Sequence, residues 1–170
     1  MDETMKGQIE ENLSVLIRQP LIDIGRASNL LWISFGDKVV TSNRNGNTIL
    51  KGKYALNVQC AWRLTQNNRI IVASKDIYIP KSNLIDDVFD WEEYGSNRFD
   101  ERINEFKSMI PTTNIYVSKI SVDDIGGFKI DFEFGIKLEL FLDDSLEDEY
   151  WRFIVNEEKS KHFVIFEKEV

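Results

Sequence analysis

The chain is poor in cysteine, histidine and proline, and each shortage closes a line of explanation. Cys60 is the single cysteine among 170 residues. No internal disulfide is therefore available, and an oxidising compartment is not called for. His162 is the single histidine. A general base or a metal site usually needs histidine beside a nucleophile or further ligands. A Cys60–His162 dyad is the only thiol–imidazole arrangement to consider, and strand parity puts Cys60 on a core-facing side, where a thiol is an inert small hydrophobe. No apolar run approaches the ~18 residues that span a bilayer. The opening residues, Met-Asp-Glu-Thr-Met-Lys, lack the basic-then-apolar pattern of a signal peptide. The expectation is a cytoplasmic protein without membrane contact. Gly126-Gly127 precedes a strand rather than a helix, so no phosphate-cradling fingerprint follows. No cofactor and no metal are expected, and a non-catalytic role is favoured over an enzyme.

What the chain has is aromatic bulk and negative charge. Eleven Phe, five Tyr and four Trp supply large buried area per residue, and disordered chains are poor in such residues. A length of 170 residues fits one domain, taken as 1–170, with a self-sufficient core. The net charge of −8 is uneven: residues 1–80 hold ten Lys/Arg against seven Asp/Glu, and residues 81–170 hold eleven against twenty-two. An acidic second half repels phosphate backbones and disfavours nucleic acid. It suits a basic protein partner, or it simply keeps the protein soluble.

Periodicity predicts an amphipathic helix over 5–18, with Ile9, Leu13, Leu16 and Ile17 on one face and Pro20 as its stop. A second helix is predicted over 97–110, capped by Ser96 or Asn97 and ended by Pro111. Gly25 to Ser28 reads as a turn or short helical piece. Strands are predicted over 29–35 and 38–42, separated by a Gly36-Asp37 turn, and Asn45-Gly46 marks a hairpin. Residues 54–65 alternate apolar and polar over a dozen positions, the clearest strand of the chain. Further strands follow over 69–74, 115–122, 128–134, 136–142, 150–155 and 162–166. Residues 81–96 read as a long acidic loop carrying Phe89 and Trp91. The class is α+β: about nine mainly antiparallel strands in a strongly bent sheet or partial barrel, with two helices.

Two Trp-Arg pairs, Trp62-Arg63 and Trp151-Arg152, sit in similar strand settings. They raise an internal duplication of residues 54–79 and 136–166, although two hairpins built by the same rules also look alike. Parity puts each Trp in the core and each Arg on the polar face of one sheet. Arg63 shares that face with Asn57, Gln59 and Thr65. Such a row recognises a carboxylate or phosphate, or is a wet sheet face with ordinary cross-strand pairs. Arg152 is placed beside the acids of 143–149, where a structural ion pair is the simpler reading. Acidic clusters occur at Asp86, Asp87, Asp90, Glu92 and Glu93, and at Asp143, Asp144, Glu147, Asp148 and Glu149. Neither has the ligand spacing of a calcium loop. They are solvated loops or a surface offered to a basic partner.

Several stretches together resemble small bacterial proteins of about this length that carry no assigned activity. They are Gly25-Arg26-Ala27 with Trp32 to Gly36, ALNVQCAWR at 55–63, FDWEEYGSNRFDE at 89–101, LELFLDDS at 138–145, and Tyr150 to Phe153 with His162-Phe163-Val164. Residues 1–15 fall outside the resemblance. It implies no site residues. Proteins of this build include immunity partners of bacterial toxins, and such a non-catalytic, toxin-neutralising role through an acidic surface is the leading expectation. The alternative is a small-ligand module or enzyme with a polar sheet-face site around Arg63.

Overall fold

The computed structural model describes residues 4–146, 148–157 and 160–166. Two helices, α1 (Met5–Ser14) and α2 (Arg98–Thr113), accompany ten antiparallel strands. One five-stranded sheet contains β1 (Leu21–Ala27), β2 (Leu30–Ser42), β3 (Thr48–Val58), β9 (Glu149–Val155) and β10 (Lys161–Phe166), in that spatial order. The other is ordered β5 (Arg69–Ala73), β4 (Ala61–Gln66), β8 (Ile136–Phe141), β7 (Phe128–Phe132) and β6 (Val117–Val122). The α+β class and antiparallel pairing are as expected. Among the described residues the strands number ten in two sheets, rather than about nine in one, and they close no barrel.

The second half of the chain repeats the first. In each, a helix precedes a three-strand meander and then a hairpin, and the hairpin joins the other half's meander. The helices are exchanged as well: α1 packs on β6, and α2 packs on β1. At the junction Pro20 and Tyr116 form an antiparallel bridge. Around it the hydrogen bonds are reciprocal: Leu21 N–H donates to Ile115 O at 2.8 Å, and Val117 N–H donates to Gln19 O at 3.0 Å. Leu21 pairs with Phe35 and Val117 with Phe132, and each pairing is followed by a register shift at the same point. The rings of Phe35 and Phe132 stack at 6.3 Å with 5° between their planes. The contact is locally twofold, and it matches the meanders residue by residue.

Inward residues show why both halves fold alike. Leu31, Ile33 and Phe35 of β2 correspond to Phe128, Ile130 and Phe132 of β7, and all six are buried. Leu56 and Val58 of β3 correspond to the equally buried Leu138 and Leu140 of β8. Trp62 pairs with Leu140 and Trp151 with Val58, so the two Trp-Arg pairs occupy matching places. Period-two alternation in each strand delivers these side chains to one shared core. Trp151 meets Phe128 edge-on at 4.9 Å across the two sheets, and its indole N–H donates to Gly126 O.

Several expectations are corrected. The alternating run 54–65 is not one strand: β3 ends at Val58 and β4 starts at Ala61. At the break, Gln59 and Cys60 N–H both donate to Tyr150 O, and the chain passes from one sheet to the other. Parity survives the crossing, so Cys60 and Trp62 stay inside. Gly36-Asp37 is a bulge inside β2 rather than a turn, because Phe35 faces Tyr54 and Lys38 faces Gly52. Gly25 to Ala27 is strand, and the turn falls at Ser28 and Asn29. Helix α1 stops at Ser14, four residues early, and Arg18 has φ of 69°. Helix α2 runs through Pro111 to Thr113 and leaves at Asn114 with φ of 49°. A proline in the last turn forfeits only one ladder bond there. Asn97 is the cap, its Oδ1 accepting from Asp100 N–H.

Candidate functional site

Register puts the two outer sheet faces in direct correspondence. One cross-strand row reads Gly25, Trp32, Asn57, Arg152 and Val164. Its counterpart reads Ser121, Lys129, Glu139, Arg63 and Ala73. The second row is electrostatically self-contained. Arg63 Nε donates to Glu139 Oε2 at 2.6 Å, and Lys129 reaches Asp131 at 3.5 Å. The hydrogen bond from Arg63 lowers the Glu139 carboxyl below its ordinary value and raises the guanidinium. Arg63 also lies 5.0 Å from the Phe141 ring centroid.

The structure does not bring the predicted sheet-face residues together. Arg63 and Arg152 mark the outer faces of two different sheets, not of one. Arg152 forms two hydrogen bonds to Glu149, at 3.0 and 2.6 Å, and its Nη1 is 3.0 Å from His162 Nδ1. The bond to Glu149 raises its pKa. The acid it meets is thus Glu149, from the cluster expected beside it; Glu147 of that cluster lies outside the described residues. Asn57 faces Arg152 across the ladder, whereas Gln59 is exposed at the crossing between sheets, in a shallow depression with Cys60 and Asp143. Burial pushes the Cys60 thiol up to about 12, with Asp143 adding to the effect. His162 pairs with Ile154, four residues along β9 from the Tyr150 carbonyl that Cys60 meets. That is roughly 13 Å of strand, so no dyad forms. Among the described residues, no three His, Cys, Asp or Glu side chains converge as a metal-binding set. Among the described residues, no helix is long and apolar enough to cross a membrane.

The acidic loop is a built surface. Its neck is closed by a bridge between Pro80 and Asn97, by Lys81 N–H to Ser96 O, and by Arg98 N–H to Ile79 O at 2.7 Å. Trp91 packs on the core and meets Tyr78 edge-on at 5.1 Å. Ser96 Oγ donates to the carbonyls of Asp90 and Glu93, and Asp90 Oδ1 accepts from Glu92 N–H. Asp87, Asp90, Glu92 and Glu93 are exposed; the side chain of Asp86 is outside the described set. Between the acids stand large apolar side chains: Ile85, Val88 and Tyr94 are 70, 68 and 69% exposed. Residues 78–94 hold five carboxylates and one lysine, Lys81.

A buried ion pair that sequence reasoning missed anchors this loop. Arg26 and Asp100 have side chains only 4% and 0% exposed. Arg26 Nε donates to Oδ1 at 2.8 Å and Nη2 to Oδ2 at 2.7 Å. The loop is tied in at Gly95, whose N–H donates to Asp100 Oδ2, and at Glu93, whose carbonyl accepts from Arg26. The bond to Asp100 raises the Arg26 pKa. The available signals were small: Asp100 sits one residue from Phe99 and three from Ile103, within the apolar phase of α2. In the repeat, Arg26 corresponds to Val122, and the nearby bridge Lys6–Asp124 is exposed, at 41 and 90%.

No protein-family model, no curated protein and no solved structure matches this chain.

Proposed function

We propose that this protein is a non-catalytic binding protein of the bacterial cytoplasm, which holds a basic protein partner against the loop 78–94. In its sharpest form it is an immunity protein that covers the cationic site of a toxin. The observation that carries the reading is the mixture on one anchored loop: exposed Tyr94, Val88 and Ile85 interleaved with Asp87, Asp90, Glu92 and Glu93. Exposed aromatic and aliphatic side chains supply the desolvated centre of an interface. The carboxylates steer a basic partner and reject nucleic acid. Because Arg26–Asp100, Ser96 and Trp91 already order the loop, little conformational entropy is lost on docking.

The test is quantitative capture from a lysate of the native organism, using the wild type, Glu92→Lys/Glu93→Lys, Tyr94→Ala, and Glu139→Lys as a control on the other sheet. The expected result is a basic protein bound stoichiometrically by the wild type and the control, and weakened at least about tenfold by both loop variants. Equal capture by all four proteins, or an acidic partner, overturns the reading.

A further inference from the structure

The outer face of the first sheet carries a groove of about 580 Å3 that its counterpart row of paired charges argues is specialised. That volume lies within the range of small-molecule sites. Trp32 forms part of its lining, and the indole lies down on β1 because Gly25 has no side chain. A Cβ there would sit 2.5 Å from Trp32 Cζ2. Ser34, Asn57, Ile154, Lys38 and Lys51 also contribute. Asp23 is at one side, already neutralised by Lys107 at 2.9 Å.

The polar groups left over are all able to donate. The indole N–H of Trp32, the Ser34 hydroxyl, the Asn57 amide, and the ammonium groups of Lys38 and Lys51 have no hydrogen-bond or ion-pair partner among the described residues. Lys38 and Lys51 thus bring to the groove two cations that no carboxylate among the described residues pairs. The equivalent residues on the second sheet are Lys129 for Trp32, Glu139 for Asn57 and Asp131 for Ser34, and each is charged. Glu139 is paired with Arg63, and Lys129 with Asp131.

We propose that this groove binds a small organic anion with a flat apolar body. The body lies along Trp32 and Ile154, Asn57 donates to an acceptor on it, and one of Lys38 and Lys51, which start from opposite faces of the β2–β3 ladder at the groove's end, takes the acid group. From Asn57 to Gly52, which faces Lys38, is roughly 16 Å of strand; the lysine side chains shorten the span to about 10 Å, the length of a two-ring acid. This site is independent of the loop 78–94 reading.

The experiment titrates the full chain with 2-naphthoate, 2-naphthyl phosphate and neutral 2-naphthamide, followed by calorimetry and amide NMR. At least one acid is expected to shift the amides of Trp32, Ser34, Asn57 and Ile154. The tighter acid names the carboxylate or phosphate class, and the neutral amide is expected to bind at least about tenfold more weakly. Lys38→Gln/Lys51→Gln, checked as folded by its amide spectrum, is expected to lose about tenfold, whereas Lys129→Gln stays within about twofold. The proposal is overturned by equal affinity for acid and amide, by shifts elsewhere on the molecule, by no saturable shift with either acid, or by unchanged binding in the double lysine variant.

Discussion

The two sheets share a plan inside and part company outside. Inward, Leu31-Ile33-Phe35 and Phe128-Ile130-Phe132 do the same packing work. Outward, one row is Lys129, Glu139 and Arg63, and the other is Trp32, Asn57 and Arg152. The charged row satisfies itself. The Trp32 row leaves donors unspent beside a groove. The ends of the meanders differ in the same sense: Arg26 is buried against Asp100 and secures the loop, whereas Val122 faces no such partner. Core packing constrains both halves alike, so divergence on the outside is where binding surfaces are to be sought.

The comparison breaks most visibly at the buried ion pair. Asp100→Ala leaves the Arg26 guanidinium buried and uncompensated, and is expected to cost about 3–5 kcal/mol in urea unfolding. Removing the exposed, solvent-screened Lys6–Asp124 pair is expected to leave the urea midpoint nearly unchanged. A similar loss from both would mean that the Arg26 side of the molecule has no special anchor. Arg26→Met/Asp100→Leu is expected to recover most of the stability, because an apolar pair avoids the desolvation penalty.

Next in size is the glycine under the tryptophan. Gly25→Ala forces the Trp32 ring off β1 and is expected to cost about 1–3 kcal/mol and alter Trp32 fluorescence. Ser121→Ala, at the matching position, is expected to stay within about 0.5 kcal/mol. Equal effects would show that the Trp32 ring is not seated as described.

The smallest effect concerns pH. Arg63 lowers the Glu139 carboxyl, so the folded state favours its ionised form. That contribution is present above the ordinary carboxylate value and is lost as pH falls through the lowered one. Wild type is therefore expected to exceed Glu139→Gln slightly in stability at neutral pH, with the gap closing in acid. A gap that widens in acid contradicts the assignment.

Much of the plan was legible in the sequence, for a physical reason. Alternation alone placed Trp62 and Trp151 inside and Arg63 and Arg152 outside. Residues 54–79 cover the second half of β3 with β4 and β5, and residues 136–166 cover β8–β10, the recognisable part of the repeat. The meanders ahead of them were not recognisable as copies, because their outward residues have changed and their inward pattern is common to any half-buried strand. The passage between sheets at Gln59-Cys60 was hidden because parity continues through it. Arg26 and Asp100 lie 74 residues apart, and no local pattern announces a pair at that distance. The acidic loop was visible as charge, but its apolar component was not read as exposed until Ile85, Val88 and Tyr94 were seen at the surface.

The most direct test is an amide NMR map of the chain titrated with the basic partner recovered by capture. The account predicts perturbations concentrated at 78–97, with residues 119–139 of the second sheet unaffected. Perturbations centred on 119–139, with loop 78–97 silent, would contradict it.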